Sequence, residues 1–158
     1  MTQKLTKVIE RIFEFFCGFS IAALVVVVSA QVISRALKIS LPWAEELARF
    51  FMIWLTFIGC SLAVCRKGHL SVDFFVNMAK PKLRFFIGSL THIIIIAFFG
   101  LLVIYGIRLS VITIDTPSST LQWSMGLVYS VLPISAAASI YFTLIDFVEF
   151  IKQRGSMI

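Results

Sequence analysis

Charge is what this sequence has least of. Only 14% of its 158 residues are Asp, Glu, Lys or Arg, while 59% are apolar. Soluble domains carry about 25% charge and about 45–50% apolar residues. So sparse a charge weighs against a disordered chain, a soluble enzyme and a nucleic-acid-binding domain. Cysteine is nearly absent too. Cys17, Cys60 and Cys65 form an odd set, all in or beside apolar runs and without a Cys-x-x-Cys pair. They offer nothing to a disulfide framework or a zinc site and read as small buried hydrophobes. There is no His-Glu-x-x-His, no Gly-x-Ser-x-Gly, no phosphate-binding glycine loop and no group of His with carboxylates. The expectation is a chain that is not an enzyme, with no cofactor, no metal and no nucleic-acid partner.

What the chain has in quantity is long uncharged stretches. Phe15 to Ser34 spans 20 residues, Phe50 to Cys65 spans 16, Phe85 to Ile107 spans 23 and Thr116 to Ile145 spans 30. A membrane-crossing helix needs roughly 20 residues. The second stretch is short by itself but long enough if its helix starts near Pro42, a residue suited to a first helical turn. A re-entrant hairpin is the alternative there. Val28-Ser29-Ala30 resembles a small-residue cleavage site. However, Glu10, Glu14 and the length of the run argue against a signal peptide. The expected fold is an all-α integral membrane protein, one domain over 1–158, with spans of about 13–35, 42–65, 84–107 and 122–146.

Between spans two and three, Ser71 to Met78 offers a capping residue followed by apolar side chains, and Lys80, Pro81 and Lys82 end the pattern. This reads as a short helix, about 71–80, lying in the lipid interface. Ten Lys and Arg residues fall on one side: Lys4, Lys7, Arg11, Arg66, Lys67, Lys80, Lys82, Arg84, Lys152 and Arg154. Arg35, Lys38, Arg49 and Arg108 fall on the other. By the positive-inside rule both termini are expected in the cytoplasm.

A carrier needs ionisable groups near the bilayer midplane, and these are costly enough to mark function. Spans one and four contain none, and span three has only His92. Two readings stay open for it: a neutral imidazole bonded to a neighbouring helix, or a proton relay. The conspicuous charge opens span two, in Leu41-Pro42-Trp43-Ala44-Glu45-Glu46-Leu47-Ala48-Arg49. At 100° per residue Glu45, Glu46 and Arg49 share about one quadrant, opposite a stripe of Trp43, Leu47, Phe50 and Trp54. Their spacing allows Arg49 to pair with either carboxylate. The block is then either a self-neutralised cluster that ends the span or a charged face that docks on another polypeptide. Arg35 to Lys38, a second charged element just before it, favours docking. Gly59, Cys60, Ser61 and Ala63 in span two, and Ser135 to Ser139 in span four, suit close helix approach. Pro133 should kink span four, and Trp123 and Tyr129 suit interfacial anchors.

These residues are familiar in combination. Arg35, the block Leu41 to Arg49, Trp54-Leu55-Thr56-Phe57-Ile58-Gly59 and Arg66-Lys67-Gly68-His69-Leu70-Ser71-Val72-Asp73 resemble the small membrane subunit of TRAP transporters, the tripartite ATP-independent periplasmic transporters. Trp123, Tyr129 and Leu132-Pro133-Ile134 match its fourth-span pattern, and the likeness covers about residues 10 to 150. Ala36 stands where an aromatic often follows the Arg, and Ser135 where the family often has Gly. The resemblance implies a multi-pass protein of the bacterial inner membrane that assembles with a large multi-span permease subunit. A periplasmic substrate-binding protein would deliver an organic acid, such as a C4-dicarboxylate or a sialic acid, and a sodium gradient would drive uptake. The small subunit would brace the static part of an elevator-type partner and meet membrane lipid elsewhere. On this view Arg35, Trp43, Glu45, Glu46, Arg49, Trp54 and Asp73 are partner-interface or orientation residues. The competing reading is a self-sufficient small oligomeric carrier or channel.

Overall fold

A computed structural model describes residues 2–66 and 81–155. The interfacial helix expected over 71–80, and Asp73 with it, lie outside the described residues. The described chain is helical: α1 Thr2–Ala36, α2 Pro42–Cys65, α3 Pro81–Ile112, a short α4 Met125–Tyr129 and α5 Val131–Gly155. Among the described residues four segments are long and apolar enough to cross a membrane: Thr6–Ala36, Pro42–Cys65, Phe86–Ile112 and Met125–Val148, the last of which includes α4.

Local chemistry sets the ends. Pro42 opens α2, where a ring-fixed φ suits the first turn and the missing N–H would have had no partner anyway. After α1 the chain turns at Lys38, whose φ is 59°. The Ile39 N–H then bonds the Ser34 carbonyl at 2.9 Å and the Lys38 N–H bonds Arg35 at 3.1 Å, a Schellman ending that glycine normally occupies. Replacing Lys38 by Gly is expected to stabilise the chain by about 0.5–1 kcal/mol, by relieving the left-handed strain. A melting curve of the purified protein checks it. At the other break, Pro133 cannot donate to Tyr129 and the fourth span is interrupted at Ser130, between α4 and α5.

The helices stand in an open row. α1 packs on α2, α2 on α5 and α5 on α3, while α4 rests mainly on α3. α5, in the middle with a neighbour on each side, buries Val131, Ser135, Ala136, Ser139, Phe142 and Thr143. Its buried serine and threonine hydroxyls are satisfied within the helix: Ser135 donates to Val131 O at 2.7 Å, Ser139 to Ser135 O at 2.9 Å and Thr143 to Ser139 O at 2.8 Å. Small polar residues can therefore line a seam without needing a partner across it. Along the α1–α2 seam, Phe19 meets Phe51 edge-on at 6.2 Å. Arg66, just past α2, reaches back to Glu10 at 3.2 Å and also to Glu14.

Two expectations about small residues need correction. Of Gly59, Cys60, Ser61 and Ala63, only Ser61 is buried, while Cys60 and Ala63 are exposed. A Cβ on Gly59 would meet nothing within 4 Å. At 100° per residue these positions simply fall on different sides of α2. The reading of all three cysteines as buried also fails: Cys60 is exposed, and Cys17 and Cys65 are half-buried free thiols. The close approaches use other glycines. At Gly106 a Cβ would sit 2.9 Å from the Pro133 ring, and at Gly126 it would sit 2.5 Å from the Ser110 carbonyl oxygen.

Candidate functional site

The charged block at the start of α2 divides among three directions. Glu45 accepts from Arg35 at 2.8 Å, tying α2 to the end of α1. That pair is an exposed one, with side-chain exposures of 75% and 57%. Such pairs contribute roughly 0–1 kcal/mol, so this one orients more than it stabilises. Glu46 turns the other way. Its Oε1 accepts the Ser119 N–H at 3.0 Å, and its Oε2 accepts those of Thr120 at 2.9 Å and Leu121 at 2.8 Å. Three successive backbone donors converging on one carboxylate form an anion nest. The nest fastens the 113–124 connection to α2. That connection is closed on itself by Ser118 N–H to Trp123 O at 2.8 Å and Trp123 N–H to Ser118 Oγ at 3.1 Å.

Arg49 is left over. The expected pairing with Glu45 or Glu46 does not occur, because both carboxylates are engaged elsewhere. Among the described residues Arg49 makes no ion pair, and it is exposed. It belongs to a stripe of Glu45, Arg49, Met52, Thr56, Cys60 and Ala63, at i, i+4, i+7, i+11, i+15 and i+18, all exposed. Arg49 lies roughly 10 Å along the helix from Pro42. The reading of a self-neutralised cluster therefore loses its geometry. A guanidinium stands on an open helix face, in a segment apolar enough to span.

The tryptophans behave differently from one another. Trp54 donates its indole N–H to Val128 O at 3.1 Å, bracing α2 against α4. It lines a groove of about 600 Å³ with Leu47, Phe50, Phe51, Trp123 and Leu127 among others. Phe50 and Trp123 stack across it at 6.3 Å and 21°. Trp43 stays 43% exposed at the end of the helix. So Arg35, Glu45, Glu46 and Trp54 serve contacts within the chain, whereas Arg49 and Trp43 project outward. Sequence reasoning missed the loop backbone that receives Glu46. Its only signal was Thr116-Pro117-Ser118-Ser119-Thr120, a turn-forming run hidden within an uncharged stretch. It also missed Asp146, which lies against His92 across the α3–α5 seam.

Four spanning-length helices in a row among the described residues define a polytopic membrane protein. The comparisons with known proteins give the family. The family model "Tripartite ATP-independent periplasmic transporters, DctQ component" matches residues 24–153, and the chain belongs to that family. It is 28% identical over 129 residues to the sialic acid TRAP transporter small permease protein SiaQ of Vibrio cholerae, covering 77% of this chain and 75% of that one. It is 34% identical over 76 residues to the C4-dicarboxylate TRAP transporter small permease protein DctQ of the same species, covering 48% of this chain and 33% of that one. It is also 30% identical over 103 residues to the sialic acid TRAP transporter permease protein SiaT of Haemophilus influenzae. That match takes in 65% of this chain but only 17% of the Haemophilus protein.

Proposed function

We propose that this chain is the small permease subunit of a TRAP importer in a bacterial inner membrane, a static partner of a large permease subunit that it braces. The large subunit would carry the substrate and sodium sites. A periplasmic binding protein would supply an organic acid, of which sialic acid and C4-dicarboxylates are the ones that the relatives' names mention. The chain itself does no catalysis, and both termini face the cytoplasm.

Arg49 carries this reading. A charged side chain at the centre of a spanning helix costs about 2.5–3.5 kcal/mol on insertion scales, and Arg49, about 10 Å in from the start of α2, bears part of that cost. An acidic or carbonyl-rich surface on the large subunit would supply the missing partner for Arg49. The Haemophilus relative supports the same idea, since a segment like this chain occupies 17% of one long permease polypeptide. Arg49→Glu should cut recovery of the large subunit with the purified small subunit by about tenfold or more, the equivalent of 1.4 kcal/mol. Lys152→Ala and Arg154→Ala should leave that recovery near wild type. Equal recovery for all three variants would count against the interface.

The self-sufficient carrier makes the opposite prediction in liposomes. Reconstituted alone, this chain should give no sodium-dependent uptake of sialic acid or succinate. Uptake without any other polypeptide would overturn the partner reading.

A further inference from the structure

Two cations near the start of α1 have lost the counter-ions their spacing offers. Lys7 and Arg11 stand one turn apart, about 6 Å along the axis, and both are exposed. The carboxylates that could reach them along the helix are Glu10 and Glu14, three residues after Lys7 and Arg11 respectively. Both are turned to Arg66, just past the end of α2. Among the described residues Lys7 and Arg11 make no ion pair.

The two cations border an open groove of about 640 Å³, whose other lining residues are Val8, Ile12, Phe15 and Phe16. At 100° per residue Lys7, Val8, Arg11 and Phe15 share about 100° of the helix surface. Ser20, which is buried, comes nine residues after Arg11 and so lies about 180° round from it. The groove therefore looks away from the packed side of α1, the side that α2 covers.

Charge and apolar surface are also sorted along the axis. The spanning segment starts at Thr6, which sets Lys7 and Arg11 near the membrane surface. Phe16 lies about 14 Å further in than Lys7, and no charged residue follows Glu14 until Arg35. A phospholipid has the same order, with its phosphate above its acyl chains. Anionic headgroups attract Lys and Arg near a membrane surface, and the stems of both side chains can lie on apolar neighbours while the charge stays at the surface. A protein face would have to reproduce that sorting, whereas a phospholipid has it by construction.

We infer that Lys7 and Arg11 hold the phosphate of an anionic phospholipid from the surrounding bilayer, with an acyl chain lying in the groove over Ile12, Phe15 and Phe16. The site is at the opposite end of the α1–α2 pair from Arg49, so it stands or falls apart from that contact.

Native mass spectrometry of the full-length chain, titrated in detergent with dioleoyl phosphatidylglycerol or dioleoyl phosphatidylcholine, tests this. The first phosphatidylglycerol should bind about tenfold or more tighter than the first phosphatidylcholine. K7Q/R11Q should weaken phosphatidylglycerol binding by about fivefold per cation removed and leave phosphatidylcholine unchanged. K38Q/R108Q removes the same charge elsewhere and should bind as wild type does. Glycerol phosphate at the same concentration should not displace the lipid. Equal binding of the two lipids, equal loss in the two double variants, or displacement by glycerol phosphate overturns the proposal. So does loss of the phosphatidylglycerol when the large permease subunit binds, since the groove would then belong to a protein.

Discussion

Gly126→Ala is expected to destabilise the chain by about 3 kcal/mol, at the upper end of overpacking costs. The added Cβ would lie 2.5 Å from the Ser110 carbonyl oxygen, 2.7 Å from Ile114 Cα and 2.9 Å from Ile114 N. All three are backbone atoms at or just past the end of α3, so no rotamer change relieves the clash. The same spot holds α4 in place, because Gly126 N–H bonds Thr113 O and Met125 N–H bonds Thr116 O, each at 3.0 Å. Gly100→Ala is the control: nothing lies within 4 Å of its Cβ position. Alanine there is expected to be neutral or slightly stabilising. Thermal unfolding and membrane yield of the two variants measure the contrast, and equal stability would refute the close-approach argument.

The second large effect is expected at Glu46. Glu46→Ala leaves the Ser119, Thr120 and Leu121 N–H groups without their acceptor, which should free the 113–124 connection from α2. Amide exchange at 119–121 should speed up by about tenfold or more, since local opening then no longer has to break the nest. Glu46→Gln should fall between, because one oxygen still accepts while the amide –NH₂ faces donors. Trp123 belongs to the same connection and stacks on Phe50. Its fluorescence should therefore report the release. Unchanged exchange in Glu46→Ala would show that the connection holds itself.

The helices were readable because membrane insertion writes itself in composition. Arg35 and Arg66 mark helix ends, and Pro42 rescues a second span that charge alone would have left too short. The arrangement of the helices was not readable. α3 is apolar on every side, so its sequence does not tell which side meets α5. Gly106 and Gly126 gain their meaning only from Pro133 and Ile114 opposite them. The charged block opens α2, but its internal pairing was not legible, because Glu46 bonds to backbone donors and a sequence shows side chains. His92 and Asp146 stand 54 residues apart, and each alone looks like a polar residue near the end of an apolar run.

A raft one helix thick has no interior. Ser20, Ser34, Ser61 and Ser139 are enclosed, yet Ala22, Val32, Ala63 and Ala137, two residues away on the same helices, look outward. Tolerance to substitution should therefore run in lengthwise bands that follow the three joints, with little regard to depth in the bilayer. On the bands between, the selective pressure comes from whatever neighbour, acyl chain or protein, fills the space outside.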